Sequence, residues 1–86
     1  MTKEELFRKN QYLSTEFELY LLDHPEIEEV IPDNALIVLL PDYDSILAGK
    51  NKELAEANKE PGQTIVYVRV KKMRASRIEE LSLQME

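Results

Sequence analysis

One uninterrupted apolar run, Ala-Leu-Ile-Val-Leu-Leu at residues 35–40, restricts the folds open to this chain more than any other segment. Pro32-Asp33-Asn34 comes before the run as a turn, and Pro41 follows it. A short apolar run between such turn signals is typical of a strand that protein covers on both faces. We therefore expect a strand in the centre of a sheet at this position.

A helix is predicted before this strand. Thr2 and Glu5 have the spacing of a capping box, which begins a helix by satisfying free backbone N–H groups. Apolar residues then recur at helical steps and define one face, while charged residues, Glu16 among them, are expected to face water. The apolar residues of that face are Leu6, Leu13, Phe17, Tyr20 and Leu21. His24-Pro25 ends the helix, because the residue before a proline avoids helical backbone angles.

A second helix and a second strand follow the apolar run. Asp42 or Asp44 is a natural N-cap for a helix that stops at Pro61-Gly62. From Thr64 to Lys71 the sequence alternates as a strand does. Strand, helix and strand in this order indicate a right-handed crossover with parallel strands. The fold class is therefore a two-layer α/β domain, helix-strand-helix-strand, with a small parallel sheet.

The length of 86 residues allows one domain, which we place at residues 1–75, and a C-terminal tail at residues 76–86. Ser76 and Glu79 repeat the capping signature and favour a short helix in the tail. The alternation of Leu81, Leu83 and Met85 fits a strand as well.

Two strands make a narrow sheet, and the apolar run needs more cover than two helices of this size supply. We therefore expect obligatory assembly, as a homodimer or with another protein, which extends or covers the sheet. The expected contact residues lie on the first helix and the second strand: Leu13, Phe17, Tyr20, Val66 and Val68.

Asp42 and Asp44 are the candidates for a ligand or metal site. They lie just past the carboxyl end of a predicted parallel strand, where open sheets bind their ligands, and two carboxylates there suit Mg²⁺. The alternative, which we favour, is that one of them caps the second helix.

Basic residues crowd the end of the second strand and are candidates for phosphate contacts: Arg69, Lys71, Lys72 and Arg74, with Arg77 close by. The net charge of −6 argues against a nucleic-acid partner. The alternatives are that these charges protect an edge strand from unwanted pairing, or that they meet the acidic first helix of another subunit.

The remaining composition excludes several kinds of chemistry. The chain has no cysteine, one histidine and two glycines, so thiolate sites, two-histidine metal sites and glycine-rich phosphate loops cannot be built. We expect His24 to contact the last carbonyls of the first helix. Asn10, on the apolar face, is expected to bond a nearby backbone group, with a helix–helix contact as the alternative.

Four segments resemble a family of small uncharacterised prokaryotic proteins, classed as a domain of unknown function. The segments are Tyr12-Leu13-Ser14-Thr15-Glu16-Phe17, Leu21-Leu22-Asp23-His24-Pro25-Glu26, Val38-Leu39-Leu40-Pro41, and Pro61-Gly62-Gln63 through Tyr67-Val68. The resemblance covers about residues 5–70. It implies the order of the helices and strands, and it brings no activity, substrate or catalytic residue.

The sequence thus predicts a non-enzymatic protein–protein interaction module that is homodimeric, cytoplasmic and without a cofactor. No apolar stretch is long enough to span a membrane. The alternative function is a small ligand-binding or Mg²⁺-binding domain that uses Asp42 and Asp44.

Overall fold

The computed structural model describes residues 1–74 and 77–85. The predicted order of helix, strand, helix and strand is present, with a short extra helix after the first one and a third strand at the end. Their bounds are α1 Lys3–Asp23, α2 Pro25–Glu29, β1 Leu36–Pro41, α3 Ser45–Asn58, β2 Ile65–Arg74 and β3 Arg77–Met85.

Both ends of α1 form as predicted. The Thr2 hydroxyl oxygen accepts a hydrogen bond from the Glu5 backbone N–H at 3.1 Å, and the hydroxyl donates to the Glu5 carboxylate at 3.3 Å. The helix ends at Asp23, two residues before Pro25. His24 Nδ1 lies 3.0 Å from the Tyr20 carbonyl oxygen, which confirms the predicted contact with the helix end.

The described strands form one sheet in the order β1-β2-β3. β1 and β2 are parallel and joined through α3, with Leu36 opposite Ile65 and Pro41 opposite Val70, so the predicted parallel crossover is confirmed. The prediction that the apolar run is the central strand is wrong, because β2 lies in the centre and β1 at an edge.

The apolar run is covered on both faces without being central. Leu39 joins a cluster on the face against α1, in which Leu13 and Phe17 pack on the central strand. Val38 joins a second cluster on the opposite face, with Ala55 of α3. Val38 and Leu39 are 4% and 8% exposed. The chain therefore shelters part of this run itself, while Ala35, Leu36, Ile37 and Leu40 are half-buried, and the expected assembly stays a prediction.

The segment predicted as a tail with a short helix is instead β3. It runs antiparallel to β2, with Val66 opposite Met85 and Arg74 opposite Arg77. The strand alternative is the correct one, and the domain extends past residue 75 because β3 contributes Ile78 to the core. Ser76, the predicted cap, lies outside the described residues.

Candidate functional site

The loop after β1 contains the two candidate carboxylates, and Asp44 is the N-cap of α3. Its Oδ1 accepts a hydrogen bond from the Leu47 backbone N–H at 3.1 Å, and its Oδ2 lies 3.2 Å from Lys9 Nζ. The bond from Leu47, followed by that from Lys9, lowers the pKa of Asp44 below its ordinary value. The cap alternative is thus the one that the structure shows for Asp44.

Asp42 pairs with Arg69 of β2. Arg69 Nη2 lies 3.1 Å from Asp42 Oδ2, and Nε and Nη2 both lie 3.3 Å from Oδ1. Between the two carboxylates, Tyr43 has a pKa raised above its ordinary value, mainly by burial. The described part of the chain contains no group of three or more His, Cys, Asp or Glu side chains placed to hold a metal ion. Both carboxylates therefore have partners within the chain: Arg69 for Asp42, and the Leu47 N–H with Lys9 for Asp44.

The predicted phosphate contacts also have acidic partners within the chain. Lys71 Nζ lies 3.5 Å from Glu80 Oε2, and Arg74 Nη2 lies 3.2 Å from Glu79 Oε1. Lys72 is exposed. Pairs this open to solvent contribute little to stability, and their main effect here is to neutralise a basic strand with acids from β3.

Glu16 of α1 is a charged residue whose burial the sequence does not predict. It is 6% exposed, although the pattern of α1 predicts a residue in water. Its Oε2 lies 3.6 Å from Arg77 Nη1, while no hydrogen bond within the described residues reaches Oε1. The basic end of the sheet and the acidic helix thus meet inside one chain.

The residues predicted to contact a partner are mostly inside the protein. Leu13, Phe17, Val66 and Val68 are buried in the cluster between α1 and the sheet. Tyr20 is half-buried and stacks on the His24 ring, with ring centres 4.0 Å apart. The prediction that these residues form a contact surface is wrong for the four buried ones, because an amphipathic pattern cannot tell a core from an interface.

The two edges of the sheet are the surfaces where backbone groups are left for a partner. Leu36 N–H donates to Thr64 O, and Asp42 N–H donates to Val70 O, so even-numbered residues of β1 and β2 bond to each other. From Ile65 to Val70, before the register with β3 shifts, odd-numbered residues of β2 consequently bond to β3, where Tyr67 lies opposite Gln84.

This alternation fixes which groups point away from the sheet on β3. Since Ser82 and Gln84 face β2, the N–H and C=O groups of the residues between and beside them face outward. Those residues are Leu81, Leu83 and Met85. The same segment, residues 81–85, contains no charged side chain, whereas the first half of β3 carries Arg77, Glu79 and Glu80. The second half of β3 is therefore an open, uncharged strand edge.

The edge of β1 is partly occupied by side chains of the helices. Asn51 Nδ2 donates to the outward-facing Leu39 carbonyl oxygen at 2.8 Å. Asn51 and Asn10 also exchange two amide hydrogen bonds of 2.8 Å, which join α3 to α1. The favoured prediction for Asn10, a nearby backbone partner, is wrong, and the helix–helix alternative is correct. A polar residue on an apolar helix face is the sequence signal for such a contact.

A groove of about 250 Å³ runs along this edge between α1 and α3. Its floor is β1, and its walls are Asn10 and Ser14 of α1 with Asn51, Leu54, Ala55 and Asn58 of α3. Sequence patterns do not identify it, because it requires the relative placement of two helices and an edge strand.

These observations define a small α/β protein with a mixed three-stranded sheet. Its described part contains no helix long and apolar enough to cross a bilayer. The chain belongs to a family of unknown function, DUF5647, whose model matches residues 5–81. No curated protein matches the chain, and no solved structure matches it.

Proposed function

We propose that this protein is a non-enzymatic interaction module that forms a homodimer by antiparallel pairing of β3 with β3 of a second copy. The observation that carries the proposal is the uncharged outer edge at residues 81–85. Edge strands that must stay unpaired normally carry charges, prolines or bulges, and this half of β3 carries no charge or proline. The proposal places the module in the cytoplasm, which agrees with a sequence without cysteine.

A twofold axis at Leu83 makes the edge complementary to itself. Leu83 then lies opposite the partner subunit's Leu83, and Leu81 lies opposite Met85 of the partner subunit. Each such pair exchanges two backbone hydrogen bonds, so about six form across the axis. Met85, which is 47% exposed, would be covered by the partner subunit's Leu81.

The substitution Met85→Lys tests this dimer, because it places a charge on the strand edge that pairs with the second copy. We expect the native chain to sediment as a dimer at micromolar concentrations and Met85→Lys to sediment as a monomer with an unchanged circular dichroism spectrum. The matched control is Leu54→Lys, which changes a residue with the same exposed fraction, 47%, on α3. It should remain dimeric.

Two results would contradict the proposal. A native chain that stays monomeric at every concentration would exclude the homodimer. A dimer that persists in Met85→Lys would exclude β3 as the contact edge.

A further inference from the structure

We propose that the groove along β1 binds an extended peptide segment of another protein, in which apolar and uncharged polar side chains alternate. This site is separate from the proposed dimer contact, because β1 and β3 are opposite edges of the sheet. Addition of a strand to a free sheet edge is a general mode of peptide recognition, in which backbone hydrogen bonds supply affinity and the neighbouring side chains supply selectivity.

Ile37 carries the backbone groups that such a peptide would bond. Because even-numbered residues of β1 bond to β2, the N–H and C=O of Ile37 point to the open side, as does the N–H of Leu39. No hydrogen bond within residues 1–74 and 77–85 reaches these outward groups. These groups are spaced as along any strand edge. The backbone groups of a second strand have the same spacing, whereas those of a helix do not.

Backbone groups at both ends of the β1 edge are already bonded or absent, so only a short part of the peptide can bond to this edge. The Leu39 carbonyl oxygen already accepts from Asn51, and Pro41 has no N–H to offer. At the other end, the Ala35 N–H donates to the Pro32 carbonyl oxygen at 3.1 Å. The peptide residue opposite Ile37 therefore makes the central contact.

The walls of the groove favour a single strand over a second copy of this chain. β1 lies at the floor, with α1 on one side and α3 on the other. The β1 edge of another copy carries the same two helices, and two edges that are both recessed between helices cannot approach within hydrogen-bonding distance. A lone extended segment has no such walls.

The lining determines which side chains the segment should carry. Leu54 and Ala55 of α3 present apolar surface, while Asn10 and Ser14 of α1 present an amide and a hydroxyl. None of the described residues that line the groove carries a charge. Since successive side chains of a strand point to opposite faces, an alternating apolar and uncharged polar sequence meets both walls.

A capped six-residue peptide of alternating valine and serine is the probe, and amide hydrogen exchange of the full-length protein is the measurement. We expect saturating peptide to slow exchange at Ile37 and Leu39 and to leave Leu81 and Leu83 unchanged. A peptide with proline in place of each valine lacks the N–H groups at those three positions and does not pair as a regular strand, so it should give no protection. Protection of the β3 amides in place of Ile37, or no protection at all, would overturn the proposal.

Two glutamate variants on α3 make the test specific to the groove. Leu54→Glu adds a charge to the groove wall, and we expect it to weaken peptide binding at least tenfold. Ile46→Glu changes an exposed apolar residue of the same helix, 63% exposed and outside the groove, and should bind as the native chain does. Equal affinities of the two variants would overturn the proposal. So would protection of Ile37 that rises with protein concentration alone, since this would identify a second copy as the occupant.

Discussion

Asn51 connects three parts of the molecule through one side chain. Its amide donates to the β1 carbonyl of Leu39 and to Asn10 Oδ1, and it accepts from Asn10 Nδ2, each at 2.8 Å. Asn51 is buried, and its bond to Leu39 lies away from solvent. A buried polar group that loses its partner costs more free energy than a hydrogen bond contributes when it is made.

At the scale of single residues, we therefore expect Asn51→Ala to lower the free energy of unfolding by about 2 to 3 kcal/mol and Asn10→Ala by about 1 kcal/mol. Only Asn51→Ala removes the hydrogen-bond donor of the Leu39 carbonyl oxygen. Urea-induced unfolding measures both. Asn58→Ala is the control, because the Asn58 amide donates to the exposed carbonyl of Leu54 on its own helix and to no other described residue. Equal costs for Asn51 and Asn10 would show that the bond to β1 contributes nothing.

The two glycines of the chain, one inside α3 and one just after it, differ in how they affect stability. Gly49 lies inside the helix, where an added Cβ meets no atom of the described residues within 4 Å. Gly62 lies beyond the helix in the turn closed by the bond from Gln63 N–H to Glu60 O, and its φ is 80°. Pro61 and Gly62 suit the two central positions of such a turn, the second of which needs positive φ.

At the scale of elements, we expect Gly49→Ala to raise the free energy of unfolding by about 0.5 to 1 kcal/mol, because alanine restricts the unfolded chain and favours the helix. Gly62→Ala should lower it by about 1 kcal/mol, because alanine is strained at that φ. Thermal and urea unfolding of the two variants give the comparison. Shifts of the same sign would contradict this account.

The β3 strand completes the molecule and is more than an attached tail. It pairs with β2 along most of its length and contributes Ile78 to the main core, with Leu81 and Leu83 packed against it. Without it, the sheet would be two strands wide, and its central strand would lose one complete set of partners. Sheets that narrow are marginal in water.

At the scale of the whole molecule, we expect a chain ending at residue 75 to lose its cooperative unfolding transition. The same result is expected when residues 77–85 are replaced by a glycine-serine segment of equal length, which keeps the chain length and removes the strand. Urea titration followed by circular dichroism makes the measurement. A cooperative transition near the native midpoint in either variant would place β3 outside the folding unit.

The sequence by itself determined the features that depend on neighbouring residues. The Thr2 cap, the end of α1 before Pro25, the Asp44 cap and the alternation of β2 each involve groups a few positions apart, so local sterics and hydrogen bonding suffice to predict them. The parallel crossover also follows from local order, because chain connectivity allows few alternatives.

Only the tertiary structure decided which strand is central, which residues are buried and where the edges are open. Leu13 and Phe17 face the core rather than a partner, because α1 lies on the sheet of its own chain. Asn10 forms a hydrogen bond with Asn51, which is 41 positions away in the sequence. Glu16 is buried and contacts Arg77 of the last strand. Hydrophobic periodicity predicts that a helix or strand face is covered, but it does not identify the residues that cover it. The hydrophobic effect is non-directional, and the covering residues come from distant parts of the chain.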